Sequence, residues 1–438
     1  MGRRKSTEGK QKMKKFLLVM IAGMLPLIQA AALEFQLKNG KDMPVYKCGE
    51  PAEFTLSVTD EGKPVDTGRY VAEITLDGNK IIEKKELDLA KGNPAKFTGT
   101  LKIPGFILVR LRDANNKIVM KAAGKNRRVV VLAGAAFEPE KIRMGYALPK
   151  DFMVFWEAGR KAIAGKPVKL EKVDKMSTKA YTAYYVTVDS LNDEKLTGYL
   201  TVPTGKGPFP AYVNVPGAGP GRVGPATEYA GKGVITLMMN VHPFPTSDNG
   251  KEQRARYEMY RNETGYPLRG AGSRDTYFFR SVYTGIDRVV NHIAQMPEWD
   301  RKHLVVCGSS QGGGSALILA GFNKHVTALA ANVPALCDHG GYKTGRSSGW
   351  PRLNRRKNAD QFAPYFDAAN FARFIKVPAL VSCGFIDTTC SPSSVYAAYN
   401  ELRGNKTMVH VPLEGHTVSK AFTKQQTPFV DKQLGLKK

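Results

Sequence analysis

The spacing of apolar and polar residues divides the chain into two regions. Up to about residue 138 they alternate with period two in short runs, at Glu53–Val58, Tyr70–Leu76, Ala95–Ile103, Phe106–Arg112 and Val129–Leu132. Turn-forming clusters separate the runs, at Asp60-Glu61-Gly62, Asp77-Gly78-Asn79 and Asn115-Asn116. Alternation with frequent turns predicts half-buried strands, and this number of them predicts a β-sandwich of immunoglobulin-like size over residues 33–138. No cluster of reactive side chains falls in it, so an accessory or spacer role is expected.

Beyond residue 139 the pattern changes. Phe152, Phe155, Trp156 and Ile163 recur at helical spacing, which predicts an amphipathic helix over Asp151–Ile163. Apolar strand-length runs follow at Pro210–Val215, Val234–Val241, Leu304–Cys307, Val326–Val333, Val377–Ser382 and Met408–Leu413. Helical segments alternate with them: one beginning over Thr227–Gly231, then Arg280–Met296, Ser315–Phe322 and Ser393–Leu402. Strands alternating with helices predict an α/β unit over residues 139–438 with a doubly wound parallel sheet. Residues 338–370 form a long connection rich in Gly, Arg and Asn. A connection of that length in a compact unit is expected to be functional, such as a lid.

Composition and the termini of the pattern add four points. A chain of 438 residues with 42% hydrophobic content is long enough for two or three cored domains. Its first 32 residues read as a secretory signal peptide: basic Arg3, Arg4, Lys5, Lys10, Lys12, Lys14 and Lys15, an apolar Phe16–Leu27 stretch, then Ala30-Ala31-Ala32. A secreted or periplasmic location is therefore expected, and no later stretch reads as a membrane span. The net charge of +26 is scattered, without a basic helix or a nucleic-acid-binding motif, so no nucleic-acid partner is implied. Of the five cysteines, Cys383 and Cys390 alone lie close in sequence and are the candidate disulfide. No C-x-x-C spacing is present, and neither a metal nor an organic cofactor is implied.

The stretch Cys307-Gly308-Ser309-Ser310-Gln311-Gly312-Gly313-Gly314-Ser315 contains Gly-x-Ser-x-Gly between a predicted strand and a predicted helix. A serine nucleophile on such an elbow needs small residues two before and two after it. Gly308 and Gly312 satisfy this for Ser310, whereas Cys307 and Gln311 fail it for Ser309, and Ser315 lies inside the helix. The pattern alone fits a plain glycine turn equally well. A triad on this architecture also needs an acid and then a histidine further along the chain. Asp387, just past the strand Val377–Ser382, is the acid candidate, with Asp300, Asp338 and Asp367 as rivals. His416, after the last strand, is the only histidine that follows it on a loop after a strand. Two backbone N–H groups are needed to bind the oxyanion. One is expected from Gln311, and the other from Ala218 in Pro216-Gly217-Ala218-Gly219, with Gly217 as the alternative. Trp350, in the long connection, is a possible sugar contact.

These residues and their neighbours resemble the acetyl xylan esterase / cephalosporin-C deacetylase family of carbohydrate esterases. The likeness spans the C-terminal 300 residues or so. It runs through Pro149-Lys150-Asp151-Phe152, Asp287-Arg288, Pro297-Glu298-Trp299-Asp300, the Gly308–Gly314 stretch, Val333-Pro334, Leu336-Cys337-Asp338, Gly384-Phe385-Ile386-Asp387, Pro392 and Ala397-Ala398-Tyr399-Asn400. The resemblance implies an α/β-hydrolase fold, Ser310, Asp387 and His416 as triad, and deacetylation of acetylated sugars. Two motifs depart from it. Pro216-Gly217-Ala218 stands where the family usually has His-Gly-Tyr, and Asn240-Val241-His242 where it has Arg-Gly-Gln. Substrate choice and homo-oligomeric assembly are left open by these departures. An esterase or peptidase of other acyl specificity, or a non-catalytic polysaccharide-binding protein, are the competing readings.

Overall fold

The computed structural model describes residues 33–124 and 127–436; the expected signal peptide lies outside them. Residues 33–137 form two sheets around one core. One sheet holds Glu34–Asn39, Ala52–Asp60, Lys63–Pro64 and Ala95–Gly99. The other runs, in spatial order, Val45–Tyr46, Leu132–Phe137, Gly105–Asp113, Arg69–Leu76 and Lys80–Asp88. Their inward residues, among them Phe54, Leu56, Val58, Ile74, Val109 and Leu111, pack together. This is the period-two alternation turned into burial. Two boundaries differ from expectation. The predicted strand Ala95–Ile103 stops at Gly99, and the predicted Val129–Leu132 straddles two strands. Arg128–Val130 pairs with Met120–Ala122 in a separate ribbon, and Leu132 opens the next strand.

The second unit carries a nine-stranded sheet. Its spatial order is Val168–Lys172, Tyr181–Asp189, Lys195–Pro203, Ile235–Met239, Phe209–Val215, Trp299–Ser309, Ala328–Asn332, Ala379–Gly384 and Lys406–Val411. From Ile235–Met239 onward the strands are parallel. The first three are antiparallel, to each other and to Ile235–Met239. The expected parallel sheet is thus a mixed one, with an antiparallel edge that the apolar pattern does not predict. Alternate residues of the central strands face opposite layers. Val213, Leu237 and Val306 face Phe152–Ile163, Phe279–Ile293 and Gln311–Phe322, whereas Tyr212, Met238 and Val305 face Phe422 and Val430 of the last helix, Lys420–Gln433.

The helix Gly250–Thr264 was not expected. It buries only Gln253 and Tyr260, so it has no apolar stripe to read. Its ends are set locally: the Asn249 side chain accepts from the N–H groups of Lys251 and Glu252, and Gly265 closes it at φ 69°. The 338–370 connection is packed rather than a free flap. Asp338, His339, Arg346, Leu353, Phe362 and Phe366 are all buried in it. All five cysteines are free, so Cys383 and Cys390 are not bridged. Burial pushes both thiols up, and the nearby Asp387 carboxylate adds to it. Among the described residues no helix is long and apolar enough to cross a membrane.

Candidate active site

Ser310 sits between the strand Trp299–Ser309 and the helix Gln311–Phe322, at φ 56° and ψ −119°. A non-glycine residue held at positive φ is strained, and the surroundings must impose it. They do so through close backbone approach. A Cβ at Gly308 would run into the backbone of Gly312, and one at Gly312 into the carbonyl of Val215. The Ser310 N–H donates to the Asn332 carbonyl at 2.9 Å, and its own carbonyl accepts from Gly314 and Ala335. Ser309 points aside and accepts from Asn332 Nδ2 at 2.8 Å.

The structure brings Ser310, His416 and Asp387 together. His416 Nε2 lies 2.8 Å from Ser310 Oγ, and Nδ1 lies 2.8 Å from Asp387 Oδ2. Asp387 is 1% exposed. Its Oδ1 accepts from the N–H groups of Thr389 and Cys390 at 2.8 and 2.9 Å, which leaves Oδ2 for the imidazole. The acid and histidine loops touch directly, since a Cβ at Gly384 would meet the carbonyls of Glu414 and Gly415. The geometry lets a neutral imidazole take the hydroxyl proton while the carboxylate holds the ring.

The rivals are placed elsewhere. Asp300 pairs with His303 Nδ1 at 2.6 Å, at the far end of the nucleophile strand. Asp338 and Asp367 belong to a buried cluster, where Asp338 accepts from the Gly145 N–H and from Arg346, and Asp367 accepts from the N–H groups of Asp338 and His339. Burial there, with Asp338 as neighbour, lifts the Asp367 carboxyl to about 8.

Gln311 opens the helix, and the first N–H groups of a helix have no partner within it. The Pro216–Gly219 loop lies alongside. A Cβ at Gly217 would stand 3.3 Å from the Ser309 carbonyl oxygen and 3.8 Å from Ser310 Cβ, and Ala218 is the next residue. What fastens these two pieces was not expected. His242 is fully buried and its Nε2 lies 2.7 Å from the Gly219 carbonyl. A carbonyl only accepts, so Nε2 carries the proton. Burial depresses His242 to about 4, which keeps the ring neutral. Tyr266 meets His242 edge-on, centroids 4.8 Å apart, and its hydroxyl donates to the Gln311 side-chain oxygen. The sequence signal was present in Asn240-Val241-His242, directly after a strand. His242 precedes the acid along the chain, which excludes it as base but not as a support. Trp350 is partly buried against the core, and its carbonyl accepts from the Leu336 N–H at 2.9 Å.

The model of the acetyl xylan esterase family (AXE1) matches residues 138–344 and 351–433. The chain belongs to that family. It is a serine carboxylic ester hydrolase. The acetyl esterase Axe7A of Xylanibacter ruminicola is 32% identical over 408 residues, covering 89% of this chain and 88% of that one. That span exceeds the catalytic unit, so the likeness runs into the N-terminal sheets. Two solved structures share the fold over about two thirds of this chain. Acetyl xylan esterase 1 from Thermoanaerobacterium sp. JW/SL YS485 has a TM-score of 0.57 and 20% identity, over 68% of this esterase and 98% of that chain. The acetyl xylan esterase from Paenibacillus sp. R4 has a TM-score of 0.56 and 23% identity, over 67% and 98%.

Proposed function

We propose that this esterase removes acetyl groups from acetylated sugars such as xylo-oligosaccharides through Ser310, His416 and Asp387. The hydrogen-bonded line from Ser310 Oγ through His416 to Asp387 carries this reading. His416 Nε2 takes the Ser310 proton as Oγ attacks the acetyl carbonyl carbon. The resulting oxyanion is bound by the backbone N–H groups of Gln311 and Ala218. His416 returns the proton to the departing sugar oxygen as the C–O bond breaks, leaving acetyl-Ser310. A water then attacks this ester with His416 again as base, and acetate and the free serine result. Asp387 keeps the Nδ1 proton of His416 in place and stabilises the charged ring.

Trp350 is proposed to contact the sugar, the N-terminal sheets to be an immunoglobulin-like module, and the protein to be exported, its N-terminus trimmed near Ala32. N-terminal sequencing of the mature protein checks the last point. The function is tested with a panel of acetylated xylo-oligosaccharides, other acyl esters and peptides, using wild type, Ser310→Ala and Trp350→Ala. Acetate release by wild type, its loss by about 1,000-fold or more in Ser310→Ala, and a raised KM for oligosaccharides alone in Trp350→Ala are expected. Full activity in Ser310→Ala would sink the assignment.

A further inference from the structure

The loop that carries Asp387 lies against the N-terminal unit, tightly before the acid and loosely after it. Before it, the Phe385 ring meets Phe106 edge-on, centroids 5.1 Å apart. The strand Leu132–Phe137 passes so close at Gly134 that a Cβ there would stand 2.7 Å from the Phe385 carbonyl oxygen. After it, the Thr388 methyl lies 3.6 Å from where a Cβ at Gly78 would be. Phe106 and Ala136 pack into the core of the catalytic unit rather than their own.

Asp77 lies beside these contacts, at the turn after Arg69–Leu76, and is buried. Its Oδ2 accepts from the Ser347 N–H at 3.0 Å, and its Oδ1 accepts from Ser393 Oγ at 2.5 Å. Ser347 belongs to the 338–370 connection. Ser393 is in the first turn of the helix Pro392–Glu401, which follows the Asp387 loop. One carboxylate of the N-terminal unit therefore ties the helix that follows the acid loop to the 338–370 connection, whose Arg352 donates to the Thr388 carbonyl of that loop at 3.1 Å. Packing alone does not call for a carboxyl here, because burying one is unfavourable unless donors are aimed at it. Both donors come from the catalytic unit.

We propose that the N-terminal unit is a working part of the active site, with Asp77 as a positioning residue that holds the Asp387 loop in register with His416. This rests on the reading of Ser310, His416 and Asp387 as the triad. Displacing a catalytic group by about 1 Å costs on the order of 100-fold in rate, so loosening this anchor acts on kcat more than on KM.

The test uses the full-length chain with 4-nitrophenyl acetate, the rate of active-site labelling by a phosphonate ester, and thermal unfolding. Asp77→Ala is expected to lower kcat and the labelling rate by roughly 10- to 100-fold with KM within about threefold. Asp77→Asn, which keeps an acceptor for Ser347, recovers most of the loss, and Ser393→Ala loses roughly 3- to 10-fold. Asn93→Ala is the control. Among the described residues the Asn93 side chain bonds only within the N-terminal unit, to the backbone of Val58 and Val65, so its loss lowers Tm and leaves kcat unchanged. Wild-type kcat in folded Asp77→Ala overturns the proposal. So does a fall in kcat in Asn93→Ala that matches Asp77→Ala, because the sheets then supply stability alone. Should Asp77→Ala fail to fold, unchanged kcat in Ser393→Ala overturns it. An active Ser310→Ala overturns the triad instead, whereas an inactive Ser310→Ala beside a normal Asp77→Ala removes this inference only.

Discussion

Ser310 has the proposed acid–base flank on one side and the proposed oxyanion flank on the other, and the two are held by different physics. On the acid–base flank, backbone meets backbone. Gly384 abuts the carbonyls of Glu414 and Gly415, and two N–H groups fix one oxygen of Asp387. On the oxyanion flank, side chains do the holding: His242 bonds the Gly219 carbonyl, and Tyr266 bonds the Gln311 side chain. The first flank matches the family resemblance, and the second shares its Gln311 but departs from it at Pro216-Gly217-Ala218 and Asn240-Val241-His242. Backbone contacts tolerate little change because no rotamer can relieve them. Side-chain supports can be exchanged as a set, and the aromatic cluster around His242 is such a set.

The largest expected effect is on the first flank. Asp387→Asn keeps the shape but removes the acceptor that selects the His416 tautomer, and a loss of about 10,000-fold in kcat is expected. KM on 4-nitrophenyl acetate should change little. A loss below about tenfold would show that the carboxylate is not the group that orients His416.

The difference between the flanks also explains what was legible in the sequence. Ser310 could be read because the elbow forces small residues at Gly308 and Gly312, and these leave a fixed spacing. Asp387 and His416 could be read because parallel strands put their following loops on one edge of the sheet. The parallel strands themselves were legible as apolar runs buried on both sides. In the hairpin edge, Val168–Lys172 buries none of its residues and leaves no apolar run to read, and Tyr181–Asp189, which alternates buried and half-buried positions, was missed beside it. The position of His242 just after a strand was legible, but its role was not. That role depends on the Gly219 carbonyl in another loop, and no local spacing encodes the contact. The Asp77 anchor spans residues 77, 347 and 393 and is invisible along the chain for the same reason.

An intermediate effect is expected on the oxyanion flank. His242→Ala removes the donor to Gly219 and frees the Pro216–Gly219 loop, and kcat should fall by roughly 10- to 100-fold, less than loss of one whole oxyanion donor. His242→Gln retains an N–H that reaches the carbonyl and should recover part of it. The phosphonate-labelling rate should fall in step with kcat. Equal activities for the alanine and glutamine variants would mean that the cluster fills space rather than aims a loop.

The smallest effect is on stability and comes with a sign. Burial lowers His242 to about 4, below the ordinary value of 6.5. Between these values the unfolded chain takes up a proton that the folded ring refuses. The contribution to stability is therefore full above pH 6.5 and is lost as pH falls towards 4, by an amount on the order of 3 kcal/mol at most. His339, also lowered to about 4 by burial, acts the same way. Asp77 opposes them, because burial lifts its carboxyl to about 6 and the folded protein binds that proton first. The net slope mixes these groups, so the informative quantity is the difference between wild type and His242→Gln in urea unfolding. As pH drops from 7 to 4.5, that difference should shift in favour of the variant, since only wild type carries the His242 penalty. A difference that stays constant over this range would place the His242 ring in water and detach it from the oxyanion loop.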